Sequence, residues 1–321
     1  MKTIRITSME DPRVEVFHQN SERKLKKALE PKPGYFITES PLVIGRALRA
    51  GYEPIKLLRQ VGEISKDEQE VFDLVEAYEK SRANGRPASA KDVAEVKVTA
   101  ESADEEETVF EEIPVYEAEE EQFRTLTGFL LMRGLLCLMQ RKEMPDLAEL
   151  LVKGSIPTAV KNATSAELHD YPHRIVVLDD VENPTNIGAI IRSAAALSMD
   201  MVLTTKGSSD PLYRRASRVS MGCIFQIPWA EYDKDYLYAE LKKAGYKTVA
   251  MALKEKSVPI DDEKLNREDK LAIIMGNEGY GLPDETIDKC DYTAIIPMTE
   301  GVDSLNVAAA SAVAFWQLRY K

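Results

Sequence analysis

The sequence predicts an α/β protein with two domains, of which the second is built around a mostly parallel sheet. The chain has 321 residues, 44% of them hydrophobic and 30% charged, which is enough for two hydrophobic cores. From residue 171 onward, short apolar runs alternate with segments of helical periodicity. Uninterrupted apolar runs of this length are typical of strands that are covered on both faces of a parallel sheet.

The first predicted domain, residues 1–142, mixes helices and strands. Ser40 and Pro41 are typical of a helix start and Gly51 of a helix end, which predicts a helix between them with Ser40 as its cap. Two apolar runs predict buried strands: 55–61 and 133–139. We therefore expect a smaller α/β domain ahead of the second one.

Residues 62–108 predict a mobile acidic insert, because most of the segment is polar and rich in turn-forming residues, although residues 70–78 are helical in pattern. Order is predicted to return at 109–118 and in a helix after it. Eleven acidic residues and no Lys or Arg lie within 101–121. The formal net charge is −12, so the rest of the chain is close to neutral. The acidity is therefore expected to come from one solvated loop, and it does not exclude a polyanionic partner.

The second predicted domain, residues 171–321, follows a predicted linker over 143–170. Its predicted strands are 174–180, 199–205, 246–253, 271–276 and 293–298. The first helix of this domain is predicted to begin at Ile187 with Asn186 as its cap. An alanine-rich helix ends the chain.

Cysteine, histidine and hydropathy patterns exclude several classes of protein. The three cysteines are widely spaced and have no second Cys or His at metal-ligand spacing, which argues against a disulfide framework and a zinc site. The three histidines, His18, His169 and His173, lie outside the polar loops described below, which argues against a histidine-based triad or a histidine-ligated metal there. The first 13 residues contain no apolar leader, and no uncharged apolar run is long enough to cross a membrane. The sequence thus predicts a cytoplasmic protein that binds neither a metal nor a membrane.

Three loops that follow predicted strands carry more polar residues and glycines than a turn needs. They are Asn183–Ser193, Met275–Pro283 and Ile296–Val307. Ligands of open α/β sheets bind beyond the carboxyl ends of the strands, so these loops predict one shared site. The glycines of the second loop have neither the dinucleotide-binding nor the phosphate-loop spacing, which disfavours a nucleotide-binding enzyme. The Asn, Arg, Glu and Ser side chains of these loops are suited to positioning and polarising a substrate, not to redox chemistry.

These three loops resemble the three motifs of the SpoU/TrmH family of RNA ribose 2′-O-methyltransferases, in the SPOUT superfamily. The segments are NPTNIGAIIRSAAAL, IIMGNEGYGL and IPMTEGVDSLNVAAASAVAF. The resemblance implies a deep trefoil knot in the second domain, S-adenosylmethionine as cofactor, and a homodimer formed through that domain. Residues 36–52 and 126–139 resemble the smaller N-terminal RNA-binding domain of many members, which is related to a kink-turn-binding ribosomal protein fold.

The resemblance also implies roles for individual residues. Four residues fall where members bind S-adenosylmethionine: Gly276, Ile296, Met298 and Leu305. Five fall on positions that are assigned to catalysis or its support: Asn186, Arg192, Glu278, Ser304 and Asn306. Whether Glu278 holds Arg192 or orients Asn306 stays open at this point. Arg192 is often proposed as a base, but arginine is always protonated in proteins, which favours a cation that stabilises the reacting oxygen.

Two groups of basic residues predict RNA-contacting surfaces, with plain solvated faces as the alternative. They are Arg23, Lys24, Lys26 and Lys27 in the first domain, and Arg214, Arg215 and Arg218 in the second. The leading hypothesis is methyl transfer to a ribose 2′-hydroxyl of structured RNA, with rRNA favoured over tRNA. The alternative is a catalytically inactive RNA-binding or ribosome-assembly factor with the same fold.

Overall fold

The computed structural model describes residues 2–18, 22–83, 112–127, 134–152, 171–301 and 304–320. The chain divides into two compact units, Met1–Glu143 and Met144–Lys321. Each unit has its own sheet with helices packed on it. The prediction of an α/β fold is therefore confirmed.

The first unit is built on a five-stranded mixed sheet. Its strands are β1 (Lys2–Arg5), β2 (Tyr35–Glu39), β3 (Pro54–Gln60), β4 (Pro114–Ala118) and β5 (Leu135–Gln140). They lie in the order β1-β4-β3-β5-β2, and β5 runs antiparallel to both of its neighbours. Its helices are α1 (Glu15–His18), α2 (Glu22–Lys27), α3 (Pro41–Arg49), α4 (Lys66–Ala83) and α5 (Glu120–Thr127).

The predicted mobile insert at 62–108 is wrong over α4. This helix packs against α3 and buries Val71, Phe72 and Val75, so it belongs to the core of the unit. The apolar spacing of these residues outweighs the polar composition around them. Residues 84–108 lie outside the described part of the chain.

The acidic segment is ordered from residue 112 onward, as predicted for 109–118 and for the helix after it. Glu117 lies in β4, and its carboxylate accepts a hydrogen bond from the buried guanidinium of Arg59. Glu120 and Glu121 begin α5, where negative charge is favourable at a helix N-terminus. The prediction of a solvated loop is therefore wrong for 112–121.

The helix predicted after Ser40 is present, but Ser40 does not cap it. α3 begins at Pro41, and Gly51 follows its end with a φ of +76°. Ser40 has a φ of 78°, outside the extended region that a capping residue normally adopts, and its side chain makes no capping hydrogen bond.

The second unit is built on a seven-stranded sheet in which every described pair of neighbours is parallel. Its strands are β6 (Arg174–Leu178), β7 (Met201–Thr205), β8 (Trp229–Tyr232), β9 (Lys247–Met251), β10 (Val258–Pro259), β11 (Leu271–Met275) and β12 (Tyr292–Ile295). Its helices are α6 (Leu147–Leu150), α7 (Pro184–Ala196), α8 (Arg214–Val219), α9 (Lys234–Lys243), α10 (Glu263–Arg267), α11 (Asp284–Lys289) and α12 (Val307–Leu318).

The strand order places three polar loops next to one another. It is β10-β12-β9-β11-β6-β7-β8, so β11 lies between β9 and β6, and every residue of β6, β7 and β11 is buried. Because the strands are parallel, the polar loops after β6, β11 and β12 leave the sheet at the same edge. α12 packs against α7, which brings the third predicted loop to that edge.

The predicted linker at 143–170 begins with a short helix that packs in the second unit. Asp146 caps α6 by accepting hydrogen bonds from two backbone amides, and Leu147 and Leu151 are buried in the core of the second unit. Residues 153–170 lie outside the described part.

Over the residues that the structure describes, no helix is long and apolar enough to cross a membrane, and no cluster of His, Cys, Asp and Glu could hold a metal ion.

Candidate active site

A cavity of about 460 Å³ opens at the carboxyl ends of β9, β11 and β12. Its walls come from residues 251–254, 275–282, 287, 294–296, 298, 304–307 and 310. Lys254 and Glu278 are the charged side chains among these, and Lys254 is paired with Asp284. The cavity volume falls within the range of about 300–1,000 Å³ that is typical of small-molecule sites.

The four predicted cofactor-contacting residues all line this cavity: Gly276, Ile296, Met298 and Leu305. Gly276 is the position where the sterics are most demanding. A Cβ atom there would come within 2.7 Å of backbone atoms of Gly281 and Leu282. Glycine is therefore needed for the turn after β11 to fold back against the end of its strand.

Asn277 organises this turn and was missed by the sequence analysis. Its Oδ1 accepts hydrogen bonds from the backbone amides of Gly279 (2.8 Å) and Tyr280 (3.4 Å), and its Nδ2 donates to the carbonyl oxygen of Asp180 (2.8 Å). Asn277 and Gly281 also pair through their backbones. Asn side chains commonly hydrogen-bond the backbone two residues further on in a turn, so an Asn two residues before Gly279 was the available clue.

Glu278 joins the turn to the loop after β6. Its Oε1 accepts hydrogen bonds from Asn186 Nδ2 (2.9 Å) and the backbone amide of Asn183 (3.0 Å), and its Oε2 accepts one from the amide of Glu182 (3.2 Å). The prediction that Asn186 caps a helix beginning at Ile187 is wrong. Asn183 caps α7 instead, because the helix begins at Pro184, and this frees the Asn186 side chain for Glu278.

Asn306 extends this connection to the third loop. Its Oδ1 caps α12 by accepting a hydrogen bond from the Ala308 amide (2.9 Å), and its Nδ2 donates to Asn186 Oδ1 (3.3 Å). Glu278 therefore orients Asn306 through Asn186, which answers the question that the sequence left open. Ser304 is exposed and lines the cavity two residues before Asn306.

The environment of Glu278 favours a carboxylate that positions other groups. Burial raises the pKa of this carboxyl, but hydrogen bonds from Asn186 and from backbone amides outweigh burial and leave the pKa below its usual value. A carboxylate with a lowered pKa that already accepts three hydrogen bonds is a poor general base at neutral pH. The site therefore positions a reacting group more readily than it removes a proton.

Arg192 lies apart from the cavity of its own chain. It is exposed in the third turn of α7, six residues after Asn186, and its guanidinium has no hydrogen bond or ion pair with the described residues. It follows Gly188 by four residues, on the face of α7 that packs against α8. The structure thus brings four of the five predicted catalytic residues together and leaves Arg192 as an available cation on the surface.

The predicted RNA-contacting residues lie on two short helices. On α8, Arg215 is exposed, whereas Arg214 and Arg218 are half-buried and have partners within the protein. On α2, the basic residues surround the buried Leu25; Arg23, Lys24 and Lys27 are exposed, and Lys26 is half-buried.

Comparison with known proteins finds relatives that are similar to part of this chain. An uncharacterized tRNA/rRNA methyltransferase of Mycobacterium bovis is 34% identical over 206 residues, 64% of this chain and 65% of that protein. The 23S rRNA (guanosine(2553)-2′-O)-methyltransferase of Bacillus subtilis is 31% identical over 146 residues, 46% of this chain and 58% of its own. The chain thus matches 65% and 58% of the length of these two relatives, in both cases less than two thirds.

The solved structure of an rRNA methyltransferase from Sinorhizobium meliloti has the same fold, with a TM-score of 0.68 and 22% identity over 99% of this chain and 98% of that one. The family model described as SpoU rRNA Methylase matches residues 173–316, which contain the cavity and its three polar loops. Residues 173–316 of this chain are therefore similar to the SpoU rRNA Methylase family.

Proposed function

We propose that this protein uses S-adenosylmethionine to methylate a ribose 2′-hydroxyl of structured RNA. The observation that carries the proposal is the chain of hydrogen bonds Glu278–Asn186–Asn306, which joins the three family motifs beside the cavity. The B. subtilis relative is named for 2′-O-methylation of 23S rRNA, which supports the ribose hydroxyl and favours rRNA over tRNA.

The cavity fits S-adenosylmethionine on physical grounds, and another structure from Sinorhizobium meliloti is described as AdoMet-bound, with a TM-score of 0.69 and 21% identity. The walls consist largely of backbone and apolar side chains from three strand ends. Such walls suit a flat base and an aliphatic chain. Gly276, Ile296, Met298 and Leu305 would hold the cofactor, which supplies a methyl group already activated on a sulfonium.

The remaining chemistry falls to the polar residues of the site. Ser304 and Asn306 lie at the cavity edge, where they can donate hydrogen bonds to a ribose and hold its hydroxyl in line for displacement. Glu278 keeps Asn306 in place through Asn186. We assign to Arg192 the role of a cation that stabilises the negative charge developing on the 2′-oxygen.

Four further proposals concern architecture, location and RNA binding. Because β11 is inserted between the two earlier strands β6 and β9, we propose that the chain forms the trefoil knot of the superfamily. The exposed Val313 and Trp316, three residues apart on α12, support a homodimer through this helix. We further propose a cytoplasmic location, since all three cysteines are free thiols. We also propose that the first unit binds RNA.

Two measurements test the function. Titration calorimetry of the full chain with S-adenosylmethionine should show binding, and 2′-O-methyl mapping of total RNA should show a site that is absent in cells without the gene. A folded protein that does not bind the cofactor would overturn the proposal. Cofactor binding without any missing methyl site would instead support the inactive RNA-binding factor, for which the position of Arg192 outside its own cavity is the favouring observation.

The cations on α8 give a second prediction. Replacing Arg214, Arg215 and Arg218 with Gln should weaken RNA binding and reduce the slope of log affinity against log salt by about one unit per lost phosphate contact. The matched control is Arg267→Gln, which removes an exposed cation from α10 that pairs with Glu263. Filter binding over a salt series measures the slope. A slope equal to that of the unchanged protein would place the RNA on another surface.

A further inference from the structure

A large aromatic side chain stands exposed at the opening of the cavity. Tyr280 is 63% exposed, although it lies on the cavity wall two residues after Glu278. Its ring has no ring partner and its hydroxyl has no hydrogen bond among the described residues. Scattered exposed aromatic residues are common, so the position of Tyr280 needs further observations before it indicates a ligand.

The first further observation is that the backbone carrying Tyr280 is held in place. Asn277 accepts hydrogen bonds from the Gly279 and Tyr280 amides, and Asn277 and Gly281 pair across the turn. The Asn277 side chain also ties the turn to Asp180 on the neighbouring loop. A ring on a fixed backbone loses little conformational freedom when it stacks against a ligand.

The second observation is that the opening carries two more exposed apolar side chains. Leu253, after β9, is 59% exposed, and Leu305, before α12, is 42% exposed. Both line the same cavity as Tyr280. Three large hydrophobic side chains from three loops therefore surround one opening, and water contact with this surface is unfavourable. An occupant with flat apolar faces would remove that contact.

We propose that Tyr280 stacks on an unpaired nucleobase of the RNA, at the nucleotide whose ribose is methylated. This inference rests on the proposed function, since the ribose must reach the Ser304–Asn306 edge while the cofactor occupies the interior of the cavity. A nucleotide that reaches this edge has left its helix, and its exposed base faces are stabilised by stacking on aromatic side chains. Stacking is independent of base identity, so Tyr280 contributes affinity and fixes the ribose.

Kinetics with three variants test this proposal. The substrate is total RNA from cells that lack the gene, with labelled S-adenosylmethionine. Tyr280→Ala should raise KM for RNA about 5- to 100-fold and leave cofactor affinity within about twofold, whereas Tyr280→Phe keeps the ring and should restore KM. Tyr236→Ala is the matched control, because Tyr236 is a 41% exposed tyrosine on α9 that does not line the cavity.

A fluorescence measurement keeps this inference separable from the proposed function. The probe is a single-stranded RNA of about ten nucleotides that contains 2-aminopurine. The fluorescence of the 2-aminopurine should be quenched when this RNA binds to the unchanged protein or to Tyr280→Phe, but not when it binds to Tyr280→Ala. Quenching that depends on Tyr280 supports the inference even where methyl transfer fails. Equal KM and equal quenching in Tyr280→Ala would overturn it. An increase in KM for RNA that is as large in Tyr280→Phe as in Tyr280→Ala would also overturn it. So would a loss of cofactor affinity in Tyr280→Ala that accounts for the change in kinetics.

Discussion

Replacing Gly276 with alanine is expected to weaken S-adenosylmethionine binding by about 10- to 100-fold, because the added methyl group has no space. Its Cβ would lie 2.7 Å from the carbonyl carbon of Gly281 and the nitrogen of Leu282, which are backbone atoms. The turn after β11 would have to move away from the strand, and it carries Glu278 with it. Methyl transfer should therefore fall further than cofactor affinity.

The same turn offers a matched control. A Cβ on Gly279 would meet one atom at 3.4 Å, the Asn277 Oδ1, which is an ordinary contact distance. Gly279→Ala should therefore lose far less affinity than Gly276→Ala. Titration calorimetry with the full chain measures both, and circular dichroism shows whether each variant is folded. Equal losses would mean that flexibility of the turn, and not space at Gly276, determines binding.

The sheet of the second unit could be predicted from the sequence because local pattern determines it. A run such as Leu271–Met275 is apolar at every position and is buried at every position. The carboxyl-end rule then places the loops at one edge, so the cavity was predictable before its shape was known. In the first unit, by contrast, residues 70–78 are helical in pattern, but the polar segments around them favoured a mobile insert, and only the fold shows that the apolar face of α4 is buried.

The connections within the site could not be predicted, because they depend on long-range contacts. Glu278 and Asn186 are 92 positions apart, and sequence reasoning gave Asn186 the nearest local role, a helix cap. A capping assignment compares residues within one turn, and two asparagines near the same helix start compete for it. Only the tertiary fold shows that Asn183 caps α7 and that Asn186 joins two other loops.

Replacing Arg192 with alanine is expected to lower kcat about 100- to 1,000-fold while cofactor affinity stays nearly constant. The 2′-hydroxyl must release its proton to water as the methyl group passes from the sulfonium to the oxygen, and a nearby cation stabilises the charge that develops on that oxygen. Among the described residues that line the cavity, the cation is Lys254, which is paired with Asp284. Arg192→Lys keeps a cation and should retain more activity than Arg192→Ala. Arg215→Ala, which removes another exposed cation, should change KM and salt dependence but not kcat. A normal kcat in Arg192→Ala would remove this residue from the reaction.

The position of Arg192 outside its own cavity makes one more measurement decisive. Dimers made only of Arg192→Ala chains, or only of Gly276→Ala chains, should have little activity. The proposed homodimer could bring Arg192 of one copy to the cavity of the other. Mixed dimers of the two would contain one cavity with an intact Gly276 and an arginine supplied by the other copy. Co-expression of the two variants with different affinity tags allows the mixed dimer to be isolated. Recovery of methyl transfer would show that the arginine acts across the dimer, whereas no recovery would show that it acts within its own chain.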